Sequence, residues 1–328
     1  MKIDEIAERL LARDRAALAR AITLIESTRP QDREQAMDLI DRILPETGNS
    51  IRVGITGVPG VGKSTFIEAF GLHAIEAANS NVAVLAIDPS SPISGGSIMG
   101  DKTRMARLSA HPQAFIRPSP SGGSMGGVQQ KTRETILLCE AAGFDTILVE
   151  TVGVGQSEVA AASMTDFFLL LLLANAGDEL QGIKRGIVEM CDLIAINKAD
   201  GDNVAAANLA RKQYESALHY LRTNLSSGWS PQVVTCSALQ RGNIDLIWNQ
   251  VLRYRQITHE SGYFHQKRAE QRASWMDDSI RTMLYEQTRS HAAAIRQRVL
   301  RGELNPMRAA QEIMKVRGSQ DPSFPSSE

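Results

Sequence analysis

The hydrophobic pattern changes twice along the chain. Over residues 3–26 the apolar positions Ile6, Leu10, Leu11, Leu18, Ile22 and Ile25 recur at helical spacing among Arg, Asp and Glu, which predicts an amphipathic helix. A second helix is predicted over residues 31–44, ending before Pro45. After the tripeptide GNS the pattern becomes a series of short β-rich runs: IRVGITG, VAVLAID, AFIRP, TILVE, FFLLLLLA, LIAIN and QVVTCSA. Helical stretches such as KSTFIEAFGLHAIEAA and NVAAANLARKQYESALHYL lie between them. Several runs are apolar without alternation, as expected of strands covered on both faces. Alternating strands and helices predict an α/β domain over residues 48–256, a mainly parallel sheet with helices on both faces. Residues 1–47 then form a helical N-terminal extension. Beyond Ser261 helical spacing returns with Trp275, Ile280, Met283, Leu284, Ile295, Val299 and Leu300, so residues 257–328 read as a helical arm with a frayed polar tail. Such a stripe needs a surface to pack on, either the α/β domain or a second copy of the chain.

Composition narrows the classes. With 328 residues, 43% of them hydrophobic, the chain can build one large core and a smaller helical satellite. A formal net charge of −1 gives no basic field for nucleic acid. The apolar run over residues 167–174 is eight residues long, against the roughly 20 that a helical membrane span needs, so no membrane anchor is expected. Asp4, Glu5 and Glu8 are unlike a secretory leader or transit peptide, and Cys139, Cys191 and Cys236 are widely spaced and odd in number. A cytoplasmic protein with reduced thiols is the expectation.

Chemistry concentrates at the ends of the predicted strands. GVPGVGKST, comprising Gly57, Val58, Pro59, Gly60, Val61, Gly62, Lys63, Ser64 and Thr65, follows IRVGIT and opens a helical stretch. It fits GxxxxGK[ST], in which backbone N–H groups wrap phosphates, the lysine reaches the β and γ oxygens and the hydroxyl serves Mg²⁺. NKAD ends the run LIAIN and supplies Asn197, Lys198 and Asp200; a carboxylate there accepts from the ring N–H and exocyclic amine of guanine, whereas adenine would leave it unpaired. After QVVTCSA, the segment Ser237, Ala238 and Leu239 can offer a backbone N–H to the guanine O6. Asp88, Asp101 and Glu150 stand at or just after strand ends, where they can converge on Mg²⁺ or its waters; some of them must act indirectly, because Mg²⁺ takes few protein ligands. Gly153 of ETVGVGQ can direct its N–H at a γ-phosphate. Gln156 lies three residues beyond it, too far along the chain for a Ras-style water-positioning role.

Taken together, GVPGVGKST, AIDPSSPISGGSIMGDKTRM, ILVETVGVGQSE, the loop after the leucine run, NKAD and SAL resemble the MeaB/ArgK-type P-loop GTPases, over nearly the whole chain. The resemblance implies a P-loop NTPase fold, GTP/GDP as the nucleotide with Mg²⁺, and slow hydrolysis that a partner stimulates. It also implies a homodimer, built here through the C-terminal arm. The implied partner is an adenosylcobalamin-dependent acyl-CoA mutase, chiefly methylmalonyl-CoA mutase, whose cofactor loading the GTPase gates and which it protects or reactivates. Carried over by position, the metal set is Ser64, Asp88, Asp101 and Glu150; the catalytic set is Lys63, Asp101 and Glu150, to which Lys184, a charge in the loop after the leucine run, is added. The switch regions fall on residues 89–104, 151–158 and 175–186, with Lys184, or failing that Arg185, completing the site when the mutase binds. Competing readings are a nickel-enzyme maturation GTPase, which needs clustered His or Cys ligands that are not evident among six scattered histidines, a kinase acting on a transport protein, and a passive module holding GTP as a structural ligand.

Overall fold

The computed structural model describes residues 2–87, 105–118, 125–151, 157–174, 185–219 and 225–318. The chain divides into two compact units, Met1–Gln271 and Arg272–Glu328.

In the first unit, seven strands form one parallel sheet among the described residues. They are β1 (Ile51–Gly57), β2 (Val82–Ile87), β3 (Ala114–Arg117), β4 (Thr146–Thr151), β5 (Phe167–Leu173), β6 (Leu193–Asn197) and β7 (Gln232–Thr235), in the order β3-β2-β4-β1-β5-β6-β7. The leucine run shows why the apolar stretches lack alternation. Successive strand side chains point to opposite faces; Phe167, Leu169 and Leu171 enter one core, while Phe168, Leu170 and Leu172 enter the other. Each such side chain, fully buried, stabilises by about 1.5–3 kcal/mol. The first core is closed by α4 (Lys63–Ala78) and α10 (Ile244–Glu260) through Phe66, Phe70, Ile247, Trp248 and Tyr254. The second is closed by α6 (Met125–Ala141), α7 (Ser157–Ala162) and α9 (Val204–His219) together with the N-terminal helices.

Those N-terminal helices differ from the pattern-based expectation in one respect. The apolar spacing over residues 3–26 is continuous, but the chain forms α1 (Ile3–Leu11) and α2 (Arg15–Glu26) with a break between them. Asp14 causes it: its carboxylate accepts from the amides of Ala16 (2.7 Å) and Ala17 (3.3 Å), capping α2, and Arg13 before it takes a left-handed φ of 64°. An Asp side chain that can bond nearby backbone competes with helix continuation, whatever the hydrophobic period. α3 (Pro30–Ile43) follows, and the three helices pack on α6.

A repeated device sets the amino edge of the sheet. Asp145, Asp166 and Asp192 each stand just before a strand and accept the backbone N–H that opens its neighbour or the turn before it, from Asn81 (3.1 Å), Arg52 (2.8 Å) and Phe168 (2.8 Å) respectively. Each carboxylate thereby fixes the register of two adjacent strands.

Where α3 and α6 meet, burial pushes the Glu134 carboxyl up to about 7, with a Gln130 hydrogen bond and the charges of Lys131 and Arg33 pulling the other way. Its folded value lies above its unfolded one, so stability from the protonated acid is complete below the ordinary glutamate range and is lost as pH rises through 7. Glu134→Gln is therefore expected to raise the melting temperature at pH 8, by stabilising on the order of 1–3 kcal/mol, and to change little at pH 4. Paired thermal melts at the two values check this; a variant less stable at pH 8 contradicts it.

The second unit holds the rest of α11 (Tyr263–Leu300), whose first turns belong to the first unit, and α12 (Pro306–Gly318). Gly302 turns the chain between them with φ 72°, and the Asn305 side chain caps α12 by accepting the Met307 N–H at 2.8 Å. Tyr285, Val299, Ala309 and Ile313 line an apolar groove of 510 Å³ between the two helices. No helix among the described residues is long and apolar enough to cross a membrane. The smaller helices α5 (Ala106–Ser109) and α8 (Arg185–Met190) belong to the first unit.

Candidate functional site

β1 sits where the strand order reverses, with β4, β2 and β3 to one side and β5, β6 and β7 to the other. The carboxyl edge at such a point leaves a crevice, and the loop of residues 57–62 fills its floor. Gly57 ends β1 directly against β5, where a Cβ would stand 2.5 Å from the Leu171 carbonyl oxygen. Gly62 caps α4 with φ 96°, and a Cβ there would meet the Asn197 amide nitrogen at 3.0 Å. Glycine is therefore required at both places by close approach. Pro59 and Gly60 are exposed at the turn, Val61 is buried beneath it, and Thr65 is exposed on the first turn of α4. The loop thus leads into the amino end of a 16-residue helix, whose unpaired N–H groups and dipole favour an anion.

Lys63 lies within the mouth of this loop, donating to the carbonyls of Gly57 (2.7 Å) and Val58 (3.3 Å). Burial lowers its pKa from the ordinary lysine value, while the negative charges of Glu150 and Glu158 oppose that shift. The Ser64 hydroxyl donates to Glu150 Oε1 at 3.4 Å, which links α4 to the tip of β4. A hydroxyl and a carboxylate at this spacing are hard oxygen donors that fit Mg²⁺. Beneath them Thr151 donates to Thr56 at 2.8 Å, joining the ends of β4 and β1. Asp88, Asp101, Gly153, Gln156 and Lys184 lie outside the described residues, as does the Arg185 side chain.

The second half of the site is assembled by Asn197. It is 1% exposed, and its amide donates to the Val61 carbonyl at 2.9 Å while its oxygen accepts the Ala238 N–H at 3.0 Å. One side chain thus ties the phosphate loop to the segment after β7. Lys198, in a left-handed conformation with φ 58°, reaches back and donates to the Gly60 carbonyl at 2.9 Å. Asp200 accepts the Ser237 hydroxyl, which also accepts the Gln240 N–H at 3.1 Å. The segment expected to offer an amide to the base is narrowed by these bonds. The Ser237 N–H is given to Gly242 (3.0 Å) and that of Ala238 to Asn197, leaving the Leu239 amide, beside a side chain that is 79% exposed.

Sequence reasoning placed Glu158 at the end of a switch region without giving it a part in the chemistry; the structure buries it at 2% exposure in the first turn of α7. It also left unread the bracing by Asn197 and the Thr56–Thr151 bond, which depend on strands far apart in the chain. Among the described residues no group of three or more His, Cys, Asp or Glu side chains is arranged to hold a metal ion by itself.

A parallel sheet reversing at a glycine-rich loop that opens a helix, with an NKAD loop tied to it, defines a P-loop NTPase of the guanine-nucleotide class. The family described as methylmalonyl Co-A mutase-associated GTPase MeaB matches residues 18–293, and the chain belongs to that family. It is 51% identical over 272 residues to GTPase ArgK of Escherichia coli K12, covering 83% of this chain and 82% of that protein. To the mouse protein named methylmalonic aciduria type A homolog, mitochondrial, it is 45% identical over 330 residues, covering 96% of this chain and 79% of that one. A crystal structure of an LAO/AO transport system kinase superposes with a TM-score of 0.75 at 39% identity, covering 97% of this chain and 98% of that one. The chain is accordingly a GTPase that binds guanine nucleotide and hydrolyses GTP.

Proposed function

We propose that this GTPase acts as a chaperone of an adenosylcobalamin-dependent acyl-CoA mutase, methylmalonyl-CoA mutase first among them, gating cofactor loading and protecting or reactivating the mutase. The observation that carries the reading is the family match across residues 18–293, to a family described by its association with that mutase. In this reading the amides of the 57–65 loop and Lys63 hold the phosphates, Ser64 and Glu150 hold Mg²⁺, and Asp200 with the Leu239 amide reads the base. Mg²⁺, when bound, draws negative charge from the phosphate oxygens. Lys63 opposes the charge that develops on the transferred phosphoryl group, and the loop amides fix its direction. Asp88 and Asp101 join the metal side as the family resemblance implies, the Gly153 N–H meets the γ-phosphate and Lys184 completes the site when the mutase binds, and the exposed Met276, Ile280 and Met283 on α11, spaced three and four apart, offer a second copy an apolar stripe.

Co-purification of the tagged full chain with its native partner, followed by GTP turnover with and without that partner, tests this. A mutase in the complex and a faster turnover support the reading. A stable absence of both, or transfer of labelled γ-phosphate to a protein acceptor instead of water, overturns it.

Base recognition has its own test. Asp200 keeps Oδ1 clear of the Ser237 bond, an acceptor suited to the guanine N–H groups. Asp200→Asn is expected to weaken GTP binding roughly 10- to 100-fold, because an amide places a donor against a donor, and to improve xanthosine triphosphate binding, which presents a carbonyl there. Competition titrations with the two nucleotides measure it; unchanged preference removes Asp200 from the base site.

A further inference from the structure

Hydrolysis by Lys63, Ser64 and Glu150 makes no use of the hydroxyl pair at the strand tips. Thr56 and Thr151 are each 1% exposed, and the Thr151 hydroxyl donates to that of Thr56 at 2.8 Å. Burying two hydroxyls costs a desolvation that their hydrogen bond only offsets, whereas two valines of the same shape would fill the space without that cost. The strand register shows what the bond adds. Parallel pairing between β1 and β4 runs from Ile51↔Thr146 to Ile55↔Glu150, which is one residue before the end of β4 and two before the end of β1. β1 stays paired with β5 as far as Gly57↔Leu171, and β4 with β2 as far as Ile87↔Thr151. The threonine bond carries the link between β1 and β4 one residue further, to the residues from which the phosphate loop and the segment after Thr151 leave the sheet.

Alternation along the strands decides what the bond can hold in place. Ile55 and Leu148 enter the core closed by α4, and Ile147 and Val149 enter the opposite one, so Glu150 faces α4 while Thr151 and Thr56 face away from it. The Glu150 carboxylate accordingly meets Ser64 on α4 at 3.4 Å, and the hydroxyl bond braces the same two strands from the other face, against which α7 packs. Thr56 is the residue before Gly57, and Thr151 the residue after Glu150. A bond between them fixes the tip that carries Glu150 against the tip that carries the phosphate loop.

We propose that Thr56 and Thr151 are a positioning pair for GTP hydrolysis: their hydrogen bond sets the separation of Glu150 and Ser64, the two oxygen donors that hold Mg²⁺. Without it the tip of β4 is held through its pairing with β2, and Glu150 follows that side of the sheet instead of following the phosphate loop. Groups that orient metal ligands govern metal affinity and activity strongly, and small displacements of a preorganised site are costly. The inference rests on the reading that residues 57–65 hold the phosphates and that Ser64 and Glu150 hold Mg²⁺.

Mg²⁺ binding, read apart from turnover, separates positioning from a merely structural role. With a fluorescent non-hydrolysable GTP analogue on the full chain, Thr151→Val is expected to raise the Mg²⁺ concentration that half-completes the gain in affinity roughly 10-fold. Affinity measured in EDTA should stay at the parental value, because the loop and the base site are intact. GTP turnover falls at low Mg²⁺ and recovers as Mg²⁺ is raised. Thr56→Val breaks the same bond and is expected to give the same shift, and the double variant no more than either alone, the mark of two groups acting as one. Thr151→Ser, which keeps the donor, is expected to recover most of the loss. An unchanged Mg²⁺ requirement, an affinity lost equally in EDTA, single shifts that multiply in the double variant, or a serine variant as poor as the valine one overturns the proposal. Thermal melts accompany each variant. Should a single variant melt far below the parent, the double variant, which has neither hydroxyl to leave unpaired, decides. A stable double with a raised Mg²⁺ requirement upholds the role; a parental requirement, or a double that is itself unstable, overturns it. Glu150→Gln measured alongside keeps the two readings apart. If its Mg²⁺ requirement is parental, the reading that sets Mg²⁺ between Ser64 and Glu150 falls, and the role of the pair with it; if Glu150→Gln is impaired while the threonine variants are normal, only the inference about the threonines falls.

Discussion

Lys63→Met is expected to reduce GTP turnover by on the order of 100- to 1000-fold without unfolding the protein. Among the described residues the lysine donates to carbonyls of its own loop alone, at Gly57 and Val58, so the fold there does not lean on its charge. Methionine keeps the length and the apolar stem of the side chain and removes only the ammonium. Among the described residues, Glu150 and Glu158, whose charges act on Lys63, are then left without that cation as negative charge develops on the phosphates. The loop amides and the helix end remain, so nucleotide binding weakens less than turnover does. Phosphate release and nucleotide affinity, measured together with a melt, check the expectation. Turnover close to that of the parent would show that phosphate charge is met elsewhere.

How much of this was legible beforehand differs by residue, for physical reasons. The strands were legible because burial on both faces leaves unbroken apolar runs, and FFLLLLL could be read as a central strand from its length alone. The 57–65 loop was legible because its chemistry is local: nine consecutive residues carry the turn, the lysine and the hydroxyl. NKAD could be placed at the tip of β6, but what Asn197 touches could not, since Val61 and Ala238 reach it from β1 and β7. The break at Asp14 was hidden for the opposite reason: a single capping residue outweighed a periodicity spread over 24 residues. Asp145, Asp166 and Asp192 look like ordinary turn residues until the sheet order shows which neighbouring amide each one meets. Glu158 was given no part because its place at the end of the 151–158 segment says nothing of burial, which only the packing of α7 shows. Contacts built across the sheet were therefore illegible, and a local one was legible where its motif is distinctive, as in the 57–65 loop, but not where a short-range cap competes with a longer periodicity, as at Asp14.

The largest effect on stability is expected at Arg268, which no motif marks. Arg268 is 5% exposed near the start of α11, and it donates to both Asp166 oxygens (2.8 and 2.7 Å), to the Gly48 carbonyl (2.6 Å) and to the Ser50 carbonyl (2.8 Å), with Glu140 at 3.6 Å and its guanidinium 4.4 Å over the Phe264 ring. Asp166 in turn accepts the Arg52 N–H that opens β1, so one guanidinium joins α11, β1 and the amino end of β5. Burial alone would raise both acids; the hydrogen bonds and charges of Arg268 and Arg52 instead hold Asp166 and Glu140 below the usual carboxylate range. Arg268→Met removes the main cation and leaves the buried Asp166 with the Arg52 N–H and the Arg52 charge alone, a loss of about 3–5 kcal/mol. The pH dependence identifies the cause. Groups whose folded pKa is depressed contribute stability above their unfolded value, near 4, and lose it as pH falls through the folded one. The melting difference between parent and variant should therefore be wide at pH 7 and close as pH drops below about 4, because protonated acids no longer need the guanidinium. A gap of constant width across that range would mean that lost packing on Phe264, and not the buried charge, is what Arg268 supplies.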